Sequence, residues 1–289
     1  MHFGVLFWPL VALSVAAAAL FGLVFEKRKP SFLRAGVKTV FMGALALAFA
    51  GGAPLPFVIA LAAAALGDFF LAFDKPWVLP LGMLAFLAMQ LLYMVCFFAM
   101  WMFSGDNAPL YPRYVMMIAI VAIVAAYLIW FWREPRPGRN PLLAIGAVVG
   151  AFAIGAAPLV IAGAGYLATI DPDVLEPKIN WLLVGAVWVL SAGFIWLRRD
   201  LGLVKLAGMI YAAVIVQMGL LSFWLPWTAW PAMLGALLFL ISDGVLSAEL
   251  FRLSPEAPAR KITGPVVWWT YASAQLLIAW GLARSAGMA

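Results

Sequence analysis

Long apolar runs recur along this chain and predict an all-α bundle of transmembrane helices. Short segments that hold many of the charged residues separate these runs. Each run reaches the roughly 20 residues that a helix needs to cross the hydrocarbon of a bilayer. The pattern predicts ten spans, at about 5–25, 33–51, 54–73, 78–103, 111–132, 142–169, 179–197, 203–225, 229–251 and 265–287.

Composition excludes a soluble protein. The chain is 67% hydrophobic and 10% charged, which is far more apolar sequence than a water-soluble core requires. We therefore expect a single integral membrane domain over 1–289, with 5–25 as a retained helix rather than a cleaved signal peptide. The net charge of +6 does not indicate nucleic-acid binding, because the basic residues form short clusters between apolar runs.

The basic clusters also predict the topology. Alternate loops, with Lys38 and Lys205 just inside their helices, hold 15 of the 18 Lys and Arg residues. The other side keeps only Arg113, Lys178 and Arg284. By the positive-inside rule, this asymmetry predicts an even number of spans in a bacterial inner membrane, with both termini outside and the basic loops in the cytoplasm.

Two aspartates interrupt otherwise apolar spans. Asp68 lies in ALGDFFLAF and Asp243 in LISDGVLSAEL, and a small residue precedes each of them. A carboxylate in the bilayer costs about 3 kcal/mol on insertion scales, so such residues usually face the protein interior and mark a functional site. The predicted topology places both in the cytoplasmic half of the membrane. The alternative is a structural ion pair with Lys38 or Lys205, each of which could instead extend to the membrane interface.

The surroundings of the two aspartates suggest a pseudo-repeat of four-helix units. In each half, Lys-x-x-x-Met opens the helix before the one that carries the aspartate. In each half, the helix after the aspartate carries a Gln and a Tyr. A duplicated membrane fold produces such a pattern, and chance matching of a few polar positions is the alternative. The residues after the aspartates are Gln90 and Tyr93, then Tyr271 and Gln275.

The blocks ALGDFFLAF, LISDGVLSAEL and TYASAQLLI occur in an order that resembles the YhhN/TMEM86 family of membrane proteins. The resemblance implies an eight-span core, with two further helices inserted within about 111–200. It also implies that Gln90 stands where the family usually has His. The catalytic pair would be Asp68 and Asp243, and the substrate-binding residues would be Lys38, Gln90, Tyr93, Tyr211, Tyr271 and Gln275.

Characterised members of this family are lysoplasmalogenases, so the resemblance implies a hydrolase that acts on the vinyl ether of a lysophospholipid. Its expected partners are that substrate and the membrane lipids. Two carboxyl groups can divide acid and base roles in such a reaction, as they do in glycosidases. We expect no cofactor and no metal, because the chain has one Cys and one His, in different segments.

Two other functions fit the same residues. Acidic residues within repeated membrane units also occur in small-molecule or proton-coupled transporters. However, the predicted spans place no ionisable residue in the outer half that could continue a proton path. The third possibility is a non-catalytic lipid-binding membrane protein, which the Gln at position 90 permits. Product formation from a lysolipid distinguishes an enzyme from both alternatives.

Overall fold

The computed structural model describes residues 4–73, 75, 77–103, 203–251, 253 and 257–287. This part of the chain contains helices and no strand, which confirms the prediction of an all-α fold. The α-helices are α1 Phe7–Leu20, α2 Phe32–Phe49, α3 Leu55–Leu71, α4 Leu79–Phe103, α5 Leu203–Ser222, α6 Trp230–Phe251 and α7 Arg260–Ser285.

These helices coincide with seven of the predicted spans, and the protein is an integral membrane protein. α3 is a shorter apolar helix of 17 residues. The predicted spans at 111–132, 142–169 and 179–197, and the proposed insertion over 111–200, lie outside the described residues. The total of ten spans therefore stays a prediction. Within the described part of the chain, five segments are long and apolar enough to cross a membrane: Phe7–Phe25, Phe32–Phe49, Leu79–Phe103, Trp227–Leu250 and Arg260–Ser285.

Local features of the sequence and backbone mark the limits of α1, α2 and α7. The Ser31 side chain caps α2 by accepting a hydrogen bond from the Arg34 backbone N–H. α1 continues into a π-helical segment, Phe21–Phe25. α7 begins at Arg260, five residues before the predicted start at Pro265. A proline in the second turn removes only one backbone hydrogen bond, and in this helix it does not end the element.

The described helices pack in chain order. Each helix from α1 to α7 contacts the next one, and α7 also contacts the π-helical segment that follows α1. A hydrogen bond also joins α7 to α1, since the Trp268 indole N–H donates to the Ala18 carbonyl at 3.0 Å. α6 and α7 approach closely, since a Cβ at Gly235 would lie 2.7 Å from the Ala274 carbonyl oxygen.

Tyr271 of α7 faces the interior of the bundle. Its ring makes edge-on contacts with Phe41 of α2, Phe86 of α4 and Phe239 of α6, with centroids 5.7–6.1 Å apart. Edge-to-face packing at this separation is favourable and holds the ring in one orientation. One side chain of α7 is therefore surrounded by three other helices, and its hydroxyl is directed to a defined place in the core.

Candidate active site

Asp68 is fully buried, three residues before the end of α3. The Tyr271 hydroxyl donates to its Oδ2 at 2.8 Å. Its Oδ1 makes no hydrogen bond, and it lies 3.4 Å from Lys38 Nζ of α2, which is an ion-pair distance. Three helices therefore contribute to one carboxylate, and the ammonium favours the ionised form of that carboxylate.

Lys38 turns inward, toward Asp68. Its side chain is 15% exposed. Its Nζ lies 5.6 Å from the ring centroids of both Phe21 and Trp268, so two aromatic faces add cation–π attraction. The alternative in which Lys38 extends to the interface is wrong for this structure. The side chain of Lys205 lies outside the described residues.

Asp243 occupies a different setting on α6. It is half-buried, and the Tyr211 hydroxyl of α5 donates to its Oδ2 at 2.6 Å. Within the described residues it has no cationic partner. Removing a carboxyl group from water without a nearby cation favours its neutral form. The two aspartates thus share a sequence motif but have different partners.

Gln90 of α4 is fully buried, and neither its amide oxygen nor its amide nitrogen has a hydrogen-bond partner. It lies near the Tyr211 hydroxyl without meeting hydrogen-bond geometry. A buried amide normally has partners, and an unpaired one calls for an explanation such as a water or a ligand. Gln90 therefore adds an unused donor and an unused acceptor beside the Tyr211–Asp243 pair.

Tyr93 and Gln275 connect α4 to α7. The Tyr93 hydroxyl donates to Gln275 Oε1 at 2.6 Å, and Gln275 Nε2 donates to the sulfur of Met89 at 3.1 Å. Tyr93 and Gln275 are fully buried. Both polar groups of the Gln275 amide are satisfied, so this contact fixes the two helices relative to each other.

The polar side chains cross between the two proposed halves. Tyr271, which follows Asp243 in the chain, bonds to Asp68 of the first half. Gln90, which follows Asp68, lies near Tyr211, the partner of Asp243 in the second half. Each aspartate environment therefore draws on a helix of the other half.

The structure brings all eight predicted site residues into these connected groups. Two residues that contact these groups could not be recognised from the sequence. Phe21 lies beside Lys38 and Met89 beside Gln275, and both are ordinary apolar residues of apolar helices. Phe21 opens the π-helical segment, a feature that often occurs at functional sites. Among the described residues, no three His, Cys, Asp or Glu side chains are grouped so that they could hold a metal ion.

Comparison with known families gives one result. The model of the YhhN family matches residues 33–170 and also residues 149–282. The two matches together extend over most of the chain, and they include all eight residues described above. A comparison with curated proteins gave no match, and neither did a comparison with solved structures.

Proposed function

This chain belongs to the YhhN family, and on that basis we propose that it is a lysoplasmalogenase-like membrane hydrolase. Its substrate would be a 1-alkenyl lysophospholipid, with ethanolamine or choline as the head group. Its products would be a fatty aldehyde and the glycerophospho-alcohol. The observation that carries the proposal is the difference between the two aspartates: the buried Asp68 pairs with Lys38, whereas the half-buried Asp243 accepts from Tyr211 and has no cation among the described residues.

Hydrolysis of a vinyl ether starts with a proton added to the carbon that is β to the oxygen. This step makes an oxocarbenium ion, which water attacks to give a hemiacetal. The hemiacetal then breaks its bond to the glycerol oxygen, which takes up a proton, and the aldehyde is released. One water molecule is consumed, and no oxidant, reductant or metal is needed. The reaction therefore requires one acid that holds a proton and one carboxylate that stays ionised.

The contacts support one division of these roles. Asp243 has no cationic partner in the described part of the chain, and it would donate the proton to carbon. Asp68 faces Lys38, and it would stay ionised, stabilise the oxocarbenium ion and accept a proton from the attacking water. Tyr271 and Tyr211 would orient the two carboxyl groups.

We further propose that the substrate enters from the cytoplasmic leaflet of a bacterial inner membrane. The charge asymmetry of the loops supports this orientation, with both termini outside. Lys38 and Asp68 contact each other, so both lie at one depth, close to the basic loop that precedes α2. The anionic lysolipid would have its phosphate near such basic residues.

Single substitutions test this proposal. We expect Asp68→Asn and Asp243→Asn each to lower aldehyde release from a vinyl-ether lysolipid by about 10²–10⁴-fold, the usual contribution of general acid–base catalysis. Glu249→Gln is the matched control, because Glu249 lies on α6 with Asp243 and pairs with Arg260 at 3.6 Å. It should keep most of the activity.

Two results would count against the enzyme. Retained turnover in either Asp→Asn variant excludes the catalytic pair. Binding of the lysolipid by the wild-type protein without any aldehyde favours a lipid-binding protein or a transporter. Movement of intact lysolipid across proteoliposomes, measured in parallel, distinguishes these two.

A further inference from the structure

The unpaired amide of Gln90 provides the basis for an inference about specificity. This side chain is fully buried, and both of its polar atoms lack partners. In contrast, the Gln275 amide has Tyr93 and Met89 as partners. An amide left in this state either binds something absent from the apoprotein or remains a cost to folding.

The position of Gln90 limits the chemical groups that its amide could bind. It lies near the hydroxyl of Tyr211, which itself bonds to Asp243, the proposed proton donor. A group bound by Gln90 therefore lies next to the reacting vinyl ether. Gln90 offers an N–H donor group and a carbonyl acceptor, and a hydroxyl group can donate to the amide oxygen or accept from the amide nitrogen.

A 1-alkenyl lysophospholipid has one such group at the right position. Its free hydroxyl is on the glycerol carbon adjacent to the one that carries the vinyl-ether oxygen. We propose that Gln90 binds this hydroxyl and selects lysolipids over lipids that lack it, an inference that rests on the proposed function. Acylation of this hydroxyl removes its proton and adds bulk beside a buried amide, so a diradyl lipid would be rejected.

Binding of unreactive lipids tests this role without relying on turnover. The probes are a saturated 1-alkyl-2-hydroxy lysophospholipid and its 2-deoxy analogue, titrated into the detergent-solubilised full-length protein. We expect the analogue to bind the wild-type protein about tenfold or more weakly, because it leaves the amide unpaired. Gln90→Met should reduce this ratio to about twofold or less, without weakening the binding of the 2-deoxy analogue.

The control is Gln217→Met on α5, the same change at another buried amide, which should keep the tenfold ratio. Gln90→Leu serves where Gln90→Met does not fold, as judged by thermal unfolding. Equal binding of the two probes by the wild-type protein overturns the proposal, and this comparison requires no variant. A ratio that persists in the Gln90 variants also overturns it.

A parallel measurement of aldehyde release separates this inference from the proposed function. Absence of aldehyde from a vinyl-ether lysolipid contradicts the hydrolase, while the binding ratio still decides the role of Gln90. Aldehyde release together with equal binding of the two probes contradicts the proposed role of Gln90 and leaves the hydrolase proposal standing.

Discussion

Asp68 and Asp243 occupy the same motif, yet their environments differ. Asp68 is fully buried with an ammonium and a tyrosine hydroxyl, whereas Asp243 is half-buried and, among the described residues, has a tyrosine hydroxyl as its partner. The residue before each one also acts differently. Gly67 leaves room for the ring of Phe86, while the Ser242 hydroxyl donates to the Val267 carbonyl. One carboxyl group is enclosed and paired with a cation, and the other is more open.

The difference would let two similar sequence motifs serve the two proposed chemical roles. Asymmetry arises because the ammonium of Lys38 reaches Asp68 and aromatic rings hold it there. Two carboxyl groups in matching environments would otherwise favour the same protonation state. Among the described residues, the Lys38 ammonium lies beside Asp68 and no cation lies beside Asp243, and paired acid–base work requires two such different environments.

The largest effect on this comparison is expected from Lys38→Met. The substitution leaves Asp68 as a buried carboxylate without its cation, and breaking such a pair costs about 3–5 kcal/mol of unfolding free energy. Lys261→Met at the exposed start of α7 is the control, with an expected change within about 0.5 kcal/mol. The Lys38→Met/Asp68→Asn double variant should recover part of the loss. The stabilities are measured by denaturant titration in mixed micelles. If Lys38→Met is as stable as the control Lys261→Met, the ion pair is refuted.

A smaller effect should distinguish the two tyrosines. Tyr271→Phe removes a hydrogen bond to an ionised carboxylate, which is worth about 1.5–3 kcal/mol. Tyr211→Phe removes a hydrogen bond that the tyrosine donates to Asp243, the proposed neutral acid, and such a bond is worth about 1 kcal/mol. Denaturant titration of both variants gives the order directly. If Tyr211→Phe is the more destabilising change, Asp243 is the ionised group and the assigned roles are reversed.

The smallest expected effect concerns the space beside each aspartate. A Cβ at Gly67 would lie 2.7 Å from the Phe86 ring, so Gly67→Ala should cost about 1–2 kcal/mol through overpacking. A Cβ at Gly244, next to Asp243, would meet nothing within 4 Å. Gly244→Ala should therefore be neutral, or stabilising by up to about 1 kcal/mol as a helix former. Thermal unfolding compares the two, and similar losses would contradict the enclosed-versus-open distinction.

Much of the fold could be predicted because hydropathy is a local property. The seven described helices coincide with predicted spans, apart from α7, which begins before Pro265. The polar side chains that meet in the bundle could also be singled out, because polar groups are rare and costly in apolar spans, while their roles as site residues stay a prediction. Phe21 and Met89 could not, since an apolar residue in an apolar helix carries no distinguishing signal. Their importance depends on which neighbours they contact.

The sequence by itself determined that this is a membrane protein and that Asp68 and Asp243 need partners. Both conclusions follow from the cost of transferring side chains from water to hydrocarbon, which each segment carries alone. Only the tertiary structure decided which residues those partners are. Tyr271 reaches Asp68 across 203 residues of chain, and Lys38 pairs with Asp68 while Asp243 has no cation among the described residues. Such choices depend on how the helices pack, because packing brings together groups that are distant along the chain.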